Sequence, residues 1–372
     1  MSAVVVAIGA TRALPADIRL ELGAQHPTQQ GGMLLRLTVD DGIITSADPA
    51  IGFVHRSAER LFEARDYRQL MMLANRHDWV GAFSAELGIA LTLEDVMGIV
   101  PPERATWTRM LLAETNRVTA SLLMLGSSFT ALHDLLHARE QLLEPLERLT
   151  GSRVHPMFTR IGGIARACPE DWLRDLTVLV TALRSTLGDL VDRTAGECGA
   201  LVGVGVITRA AVDDYGLSGT AARASGAAID LRLQEPYLAY SDVMHDEDAG
   251  VVTSGDIAAR FTLVARQVDV SLRIMGEAIA WLLAAGPGAT DVPLPKVVRA
   301  PEITAYGRIE GPLGIMGVLL DSIGEKTPWR LKLRTPSFAM IQSFETTLVG
   351  LPIEHLARML QSCTYMVGDA DR

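Results

Sequence analysis

Residues 103–151 read ERATWTRMLLAETNRVTASLLMLGSSFTALHDLLHAREQLLEPLERLTG, and their apolar positions decide the fold class. Leu111, Leu112, Val118, Leu122, Leu123 and Leu125 fall on more than one face of a 3.6-residue period, so a helix built from them is buried on several sides at once. That pattern predicts the central helix of a bundle. Pro101-Pro102 separates it from a helical pattern running from Trp79 to Val100, and the central helix begins near Glu103.

Helical spacing continues outward. Ala58, Leu61, Phe62, Leu70 and Leu73 carry it upstream from His55. Downstream, Pro169-Glu170-Asp171 opens a helix with acidic residues at its positive end, and Asp256 to Ala285, following Ser254, forms another that stops at Gly286-Pro287. The two ends of the chain read differently. VVVAIG, DIRLELG and MLLRLTVDDGIITS are strand-like runs, with Asp41-Gly42 as a hairpin turn, and predict a small antiparallel sheet. GPLGIMGVLLDSIGEKTPWRLKLRTPSF, at 311–338, is strand-like with a turn at Gly324 to Pro328, and a helix follows Pro352. The expected fold is α+β and mainly α. A β-rich region occupies residues 1–50, a helical bundle core 51–290, and a C-terminal β/α region 291–372 packs back on that core in one integrated domain.

Composition narrows the function. The chain has 372 residues, 48% hydrophobic and 21% charged, which is a globular balance with a sizeable core. Its formal charge of −10, from 34 basic and 44 acidic side chains with no Lys/Arg block, argues against a surface that tracks phosphates, so no nucleic-acid partner is expected. Cys168, Cys198 and Cys363 lie far apart without C-x-x-C spacing, which excludes a disulfide framework, an iron–sulfur cluster or a zinc ribbon held by this chain and suits a reducing cytoplasm. MSAVVVAIGA lacks a basic n-region, and the apolar run from Ile274 to Ala285 contains Glu277 and falls short of the roughly 20 residues of a membrane span. Membrane association is therefore expected only through partner subunits.

Several motifs read blandly. His133 and His137 share the i, i+4 spacing of zinc hydrolases, but Asp134 is the only acid between them and its short arm suits the chemistry poorly, so no metal is expected. GVGVITR at 203–209 lacks the third glycine of a dinucleotide loop and reads as a buried strand. HDEDAG at 245–250 reads as a solvated loop, and no G-x-S-x-G elbow supports a hydrolase. AQHPTQQGG at 24–32 is either a binding loop or a hairpin turn. His55-Arg56, Glu59-Arg60, Arg76-His77-Asp78, Arg153, His155 and Arg160 taken singly are salt-bridged helix ends.

Taken in order, the motifs are specific. QHPTQQGGMLLRL, IGFVHRSAERLFEARDYRQ, NRHDWV, VPPERATWTRMLLAETNRVTASLLMLG, RVHPMFTRIGG, GVGVI, GLSGTAARASGAAIDLR, PYLAY, LKLRTPSF and GDADR together resemble the D subunit (49 kDa type) of respiratory complex I, NADH:quinone oxidoreductase, over almost the whole chain. The resemblance implies a fold shared with the large subunit of nickel–iron hydrogenases. The nickel-binding paired cysteines of those enzymes would fall near Asp78 and Gly81 and near Met366 and Asp369, and no cysteine stands at any of the four.

The same resemblance implies a peripheral subunit on the cytoplasmic side of the cell membrane, inactive alone, in a proton-translocating NADH:quinone oxidoreductase. It would join a B-type subunit carrying a 4Fe-4S cluster, a C-type subunit and membrane subunits, with NADH and flavin on other chains and quinone as substrate. Arg76 and His155 match cluster-facing positions, the latter linked to proton uptake on cluster reduction. His26, Gln30 and Trp79 match the quinone-facing positions. Gln30 and Trp79 replace the family's proton-bearing histidine and tyrosine, and both can donate a hydrogen bond without delivering a proton at neutral pH. Ala131 stands where the histidine's acidic partner is expected, Ser57 replaces a glycine, Pro312 a glutamate, and Thr364-Tyr365 an Asp-Pro pair. Such departures imply a diverged second copy of the D subunit. Other roles consistent with them are a scaffold without reduction chemistry, or a subunit of a related oxidoreductase with another acceptor.

Overall fold

The computed structural model describes residues 2–8, 18–21 and 32–372. His26 and Gln30, in the 24–32 segment, lie outside the described residues. The central helix spans Glu103–Ser128 and runs along a second long helix, Ile257–Ala285. Trp107 and Trp281 stack between them with ring centroids 4.9 Å apart, and Phe129 meets Phe261 edge-on at 4.8 Å. Arg104 reaches from the start of the central helix to the carbonyls of Leu282 and Gly286, giving the negative end of the second helix a cation.

The 103–151 segment is not one helix. It ends at Ser128, passes through an extended Phe129 and a short turn at Thr130–Leu132, and resumes as Asp134–Thr150. The Ser127 and Ser128 hydroxyls donate to the carbonyls of Leu123 and Met124, an alternative to continuing the backbone ladder. Gly126 lets Leu136 fold back closely, since a Cβ there would lie 3.0 Å from Leu136 Cδ2.

At the N-terminal end, strands Ser2–Ile8, Met33–Asp40 and Ile43–Ala50 pair antiparallel, with the expected hairpin at Asp41-Gly42, where both residues have positive φ (47° and 77°). Ile18–Glu21 pairs parallel to Ser2–Ile8, so this edge departs from the expected all-antiparallel sheet. A three-stranded antiparallel sheet, Glu302–Gly311, Gly314–Ile323 and Arg330–Arg334, packs on the Ala82–Met97 helix through Ile309 and Met316 at Gly88. The C-terminal tail returns to the start of the bundle, where the Asp371 carboxylate accepts from the N–H groups of Gly52 (2.7 Å) and Val54 (3.0 Å).

Two local readings change. GVGVITR is not a strand: Gly203 and Gly205 have φ of 77° and 60°, and the turn they make seats Gly205 against Ile257 and Met359. HDEDAG is only half solvated, because Asp248 is buried and pairs with Arg273 at 2.5 Å. Among the described residues no helix is long and apolar enough to cross a membrane.

Candidate functional site

The Leu70–His77 helix runs into Asp78 and Trp79, so its last turn presents Asn75, Arg76 and His77 in three directions. Arg76 is half-buried and donates to the Met72 carbonyl (3.1 Å) and Met157 Sδ (3.3 Å), while Arg56 caps the helix by donating to the Arg76 carbonyl (2.8 Å). Among the described residues Arg56, Arg76 and Arg160 have no carboxylate in ion-pair contact. The salt-bridged reading of Arg56, Arg76 and Arg160 is thereby replaced by a cationic edge. Arg153 does keep that role, bound to Glu147 (3.0 Å) and Glu140.

His155 sits beside this edge, held by a buried polar chain. Its Nδ1 lies 2.7 Å from Asn75 Oδ1, and Asn75 Nδ2 donates to Glu86 Oε1 at 2.5 Å. Glu86 Oε2 accepts the backbone N–H groups of Phe158 (2.9 Å) and Thr159 (2.8 Å). With the amide oriented this way, Nδ1 carries the proton and Nε2 is left as the acceptor. Burial lowers the His155 pKa, and the positive charges of Arg76 and then Arg56 add to this, so the ring is neutral near pH 7. Burial raises Glu86 to about 7 against its backbone and Asn75 hydrogen bonds. The neighbouring Gly162-Gly163 turn is pinned by Arg109 and Glu94, whose fork-on-fork contacts measure 2.9 and 2.6 Å.

Trp79 lines a cavity of about 290 Å3, walled by Phe83, Leu123 and Leu146, by Arg139 and Arg153, and by Val154 and Pro156 on either side of His155. A cavity of roughly 150 Å3 holds a benzene ring, so this one accommodates a substituted six-membered ring. Asn116 shapes the wall by accepting from Phe83 N–H (3.2 Å) and donating to the Val80 carbonyl (2.7 Å). The indole lies on the backbone of Gly368, where a Cβ would come within 2.4 Å of the ring.

Two buried carboxylates stand at Asp78, beside Trp79 in sequence, and at Asp369. Asp78 accepts from Gly81 N–H at 2.7 Å, and His77 Nε2 lies 3.1 Å from Asp369 Oδ1 in a contact without hydrogen-bond alignment, all three side chains being buried. Burial, with the nearby Asp369 carboxylate, raises Asp78 to about 7. Among the described residues no group of three or more His, Cys, Asp or Glu side chains is placed to hold a metal ion. His133 and His137 are exposed; His137 contacts Gln141 Nε2 at 3.3 Å, and Asp134 pairs with Arg193. Ala131 is exposed in the turn between the two helices.

Sequence reading missed the largest polar feature, a buried set of Glu114, Arg117, Arg223, Asp230, Arg232 and Glu310. Glu114 is its hub, accepting from Tyr240 (2.6 Å), Ser271 (2.6 Å), Arg117 (3.3 Å) and Arg232 (3.3 Å). Burial alone would raise its pKa, but Arg117 and Arg232, then the two hydroxyls, hold it at about 2. The available signal was the pair of opposite charges Glu114 and Arg117, three residues apart in the middle of a helix apolar on several faces.

The family model described as respiratory-chain NADH dehydrogenase, 49 Kd subunit, matches residues 126–296 and 294–372. The NADH-quinone oxidoreductase D 2 subunit of Salinispora tropica is 44% identical over 370 residues, covering 96% of this chain and 94% of that protein. The D 1 subunit of Streptomyces coelicolor is 43% identical over 365 residues, with 96% and 95% covered, and the D subunit of Geobacillus thermodenitrificans is 33% identical over 364, with 95% and 98% covered. Numbered second copies thus stand among its relatives. The chain belongs to the 49 Kd family of respiratory-chain NADH dehydrogenase, the D subunits of NADH-quinone oxidoreductase.

Proposed function

We propose that this chain walls the quinone site of its complex, with the headgroup under Trp79 and electrons arriving from a 4Fe-4S cluster on a B-type partner. The observation that carries this reading is that Trp79 and the residues flanking His155 line one cavity of ring-holding size, beside an Arg edge that has no carboxylate in ion-pair contact among the described residues. The cluster would supply electrons one at a time. Arg76 then offsets the negative charge gained across the interface, and His155 Nε2 takes up the matching proton. Trp79 orients a quinone carbonyl or stacks on its ring but transfers no proton, and Gln30 would serve as a second hydrogen-bond donor. Asp78, buried and adjacent to Trp79 in sequence, is a group on this chain raised toward neutrality and so able to exchange a proton there. This chain would sit on the cytoplasmic side, with a C-type subunit and the membrane subunits completing the assembly.

The test is NADH:quinone reduction by the assembled complex purified through this chain. Trp79→Ala is expected to raise the quinone KM about tenfold, a loss of roughly 1.4 kcal/mol, with NADH oxidation by ferricyanide unchanged. No quinone reduction by an intact wild-type complex would leave the chain as a scaffold.

A further inference from the structure

The segment at 152–156 serves two places at once. Arg153, Val154 and Pro156 line the cavity that Trp79 also lines. His155, between them, is not part of that wall: its Nδ1 meets Asn75 Oδ1 at 2.7 Å, Asn75 links it to Glu86, and the charges it faces are Arg76 and Arg56. A ring that presses on the cavity side therefore presses on the backbone that carries the imidazole.

Within the segment the anchors are local. Gly151, with φ of 80°, ends the Asp134–Thr150 helix, the Thr150 hydroxyl donates to the Ser152 carbonyl (2.9 Å), and the Ser152 hydroxyl accepts from His155 N–H (3.0 Å). These bonds shape the turn without tying it to the body of the helix. Arg153 supplies that tie. One arm of its guanidinium reaches Glu147 at 3.0 Å and the other pairs with Glu140. The two glutamates stand seven residues apart, two turns along one face of the helix, so a single planar fork spans them. Glu140 also pairs with Arg139 at 3.0 Å, and Arg139 and Arg153 are the charged side chains among the cavity's lining residues. Glu140 and Glu147 are half exposed, and a lone pair of that kind is worth little. Four charges that share partners form the kind of network that is the exception.

We propose, on the quinone-site reading above, that Arg153 is a positioning residue: clasped to Glu140 and Glu147, it holds the 152–156 segment as the common wall of the ring cavity and of His155. It touches no reacting atom. Its effect is to make one element answer for two events, the seating of a ring against Val154 and Pro156 and the placing of His155 Nε2 for its proton. Loosening the clasp should weaken both together.

The test uses the assembled complex with Arg153→Gln, Arg153→Lys and Arg148→Gln. Arg148 is the control, since it pairs with Asp175 on another helix at 3.1 Å and lies off the cavity wall. Amide hydrogen exchange of a peptide covering 152–159 reads the clasp itself and needs no quinone turnover. Arg153→Gln is expected to speed that exchange about tenfold, Arg153→Lys to fall between it and wild type, and Arg148→Gln to leave it unchanged. Arg153→Gln should also raise the quinone KM about threefold at nearly unchanged kcat, and flatten the pH dependence of the partner cluster's midpoint potential between pH 6 and 8. Unaltered exchange in Arg153→Gln would overturn the clasp. Faster exchange with both KM and the slope of the potential unaltered would overturn its positioning role. A wild-type complex that reduces no quinone would overturn the quinone-site reading instead, and exchange and the slope of the potential would still decide the role of Arg153.

Discussion

His155 Nδ1 lies 2.7 Å from Asn75 Oδ1, and the amide nitrogen of the same Asn75 reaches Glu86 Oε1 at 2.5 Å. One asparagine thus fixes both the tautomer and the orientation of the histidine, and it is itself fixed by a carboxylate anchored on two backbone N–H groups. If Nε2 is the nitrogen that takes up a proton, Asn75→Ala should weaken the pH dependence of the partner cluster's midpoint potential, as should His155→Met. A redox titration of the cluster at pH 6, 7 and 8 reads this directly; an unaltered slope in Asn75→Ala would remove the asparagine from the proton pathway.

Glu86 has a sign-specific effect on stability. Its folded pKa of about 7 lies above the ordinary value of 4.5, so between those pH values the folded state binds more protons than the unfolded one. Stability contributed by this group is greatest below about pH 4.5 and falls as pH rises through 7, by on the order of 3 kcal/mol. Asp78, also raised to about 7, adds a slope of the same sign. Thermal midpoints between pH 5 and 8 should therefore decline less steeply in Glu86→Gln than in wild type, and parallel curves would contradict the assignment.

Ser57 occupies the left-handed region with φ 54° and ψ 43° at the start of the Ala58–Glu63 helix. A residue with a Cβ is strained there by roughly 1 kcal/mol relative to glycine. Ser57→Gly should stabilise the chain by about that amount, whereas Ser57→Ala should not. Equilibrium or thermal denaturation distinguishes them, and destabilisation by the glycine would show the strain to be absent.

Glu114→Gln removes the anion between Arg117 and Arg232 while keeping the shape of the hub. Two buried guanidiniums lose their shared counter-ion, and a loss of roughly 3–5 kcal/mol is expected. The readout is the yield and thermal midpoint of the chain in its complex. A near-neutral effect would mean that Asp230 and Glu310 suffice to balance the arginines.

Much of the helical core was legible because period and termination agree: the stretch opening at Asp256 and closing at Gly286-Pro287 is a helix at Ile257–Ala285. The break at Phe129 was not, since apolar spacing resumes at Leu132 and Leu135 and the serines that end the helix act through local hydrogen bonds. Glycines at 203 and 205 misled in the same way, as positive φ leaves no trace in hydropathy. Arg76, Trp79 and His155 were singled out by the order of motifs, and the structure places Trp79 and the residues flanking His155 on one cavity. Asn75 and Glu86, which position His155, escaped because a buried polar chain joins residues far apart in sequence and needs the fold to assemble it. The buried arginine and carboxylate set escaped for the same reason.

The most direct measurement is photolabelling of the assembled complex with an azidoquinone, followed by mapping of the modified peptides. A headgroup under Trp79 predicts labelling within 79–83, 116–123 or 152–156 of this chain, suppressed by excess unlabelled quinone. Labelling absent from these segments, in a complex that still reduces quinone, would contradict the placement of the headgroup beneath Trp79.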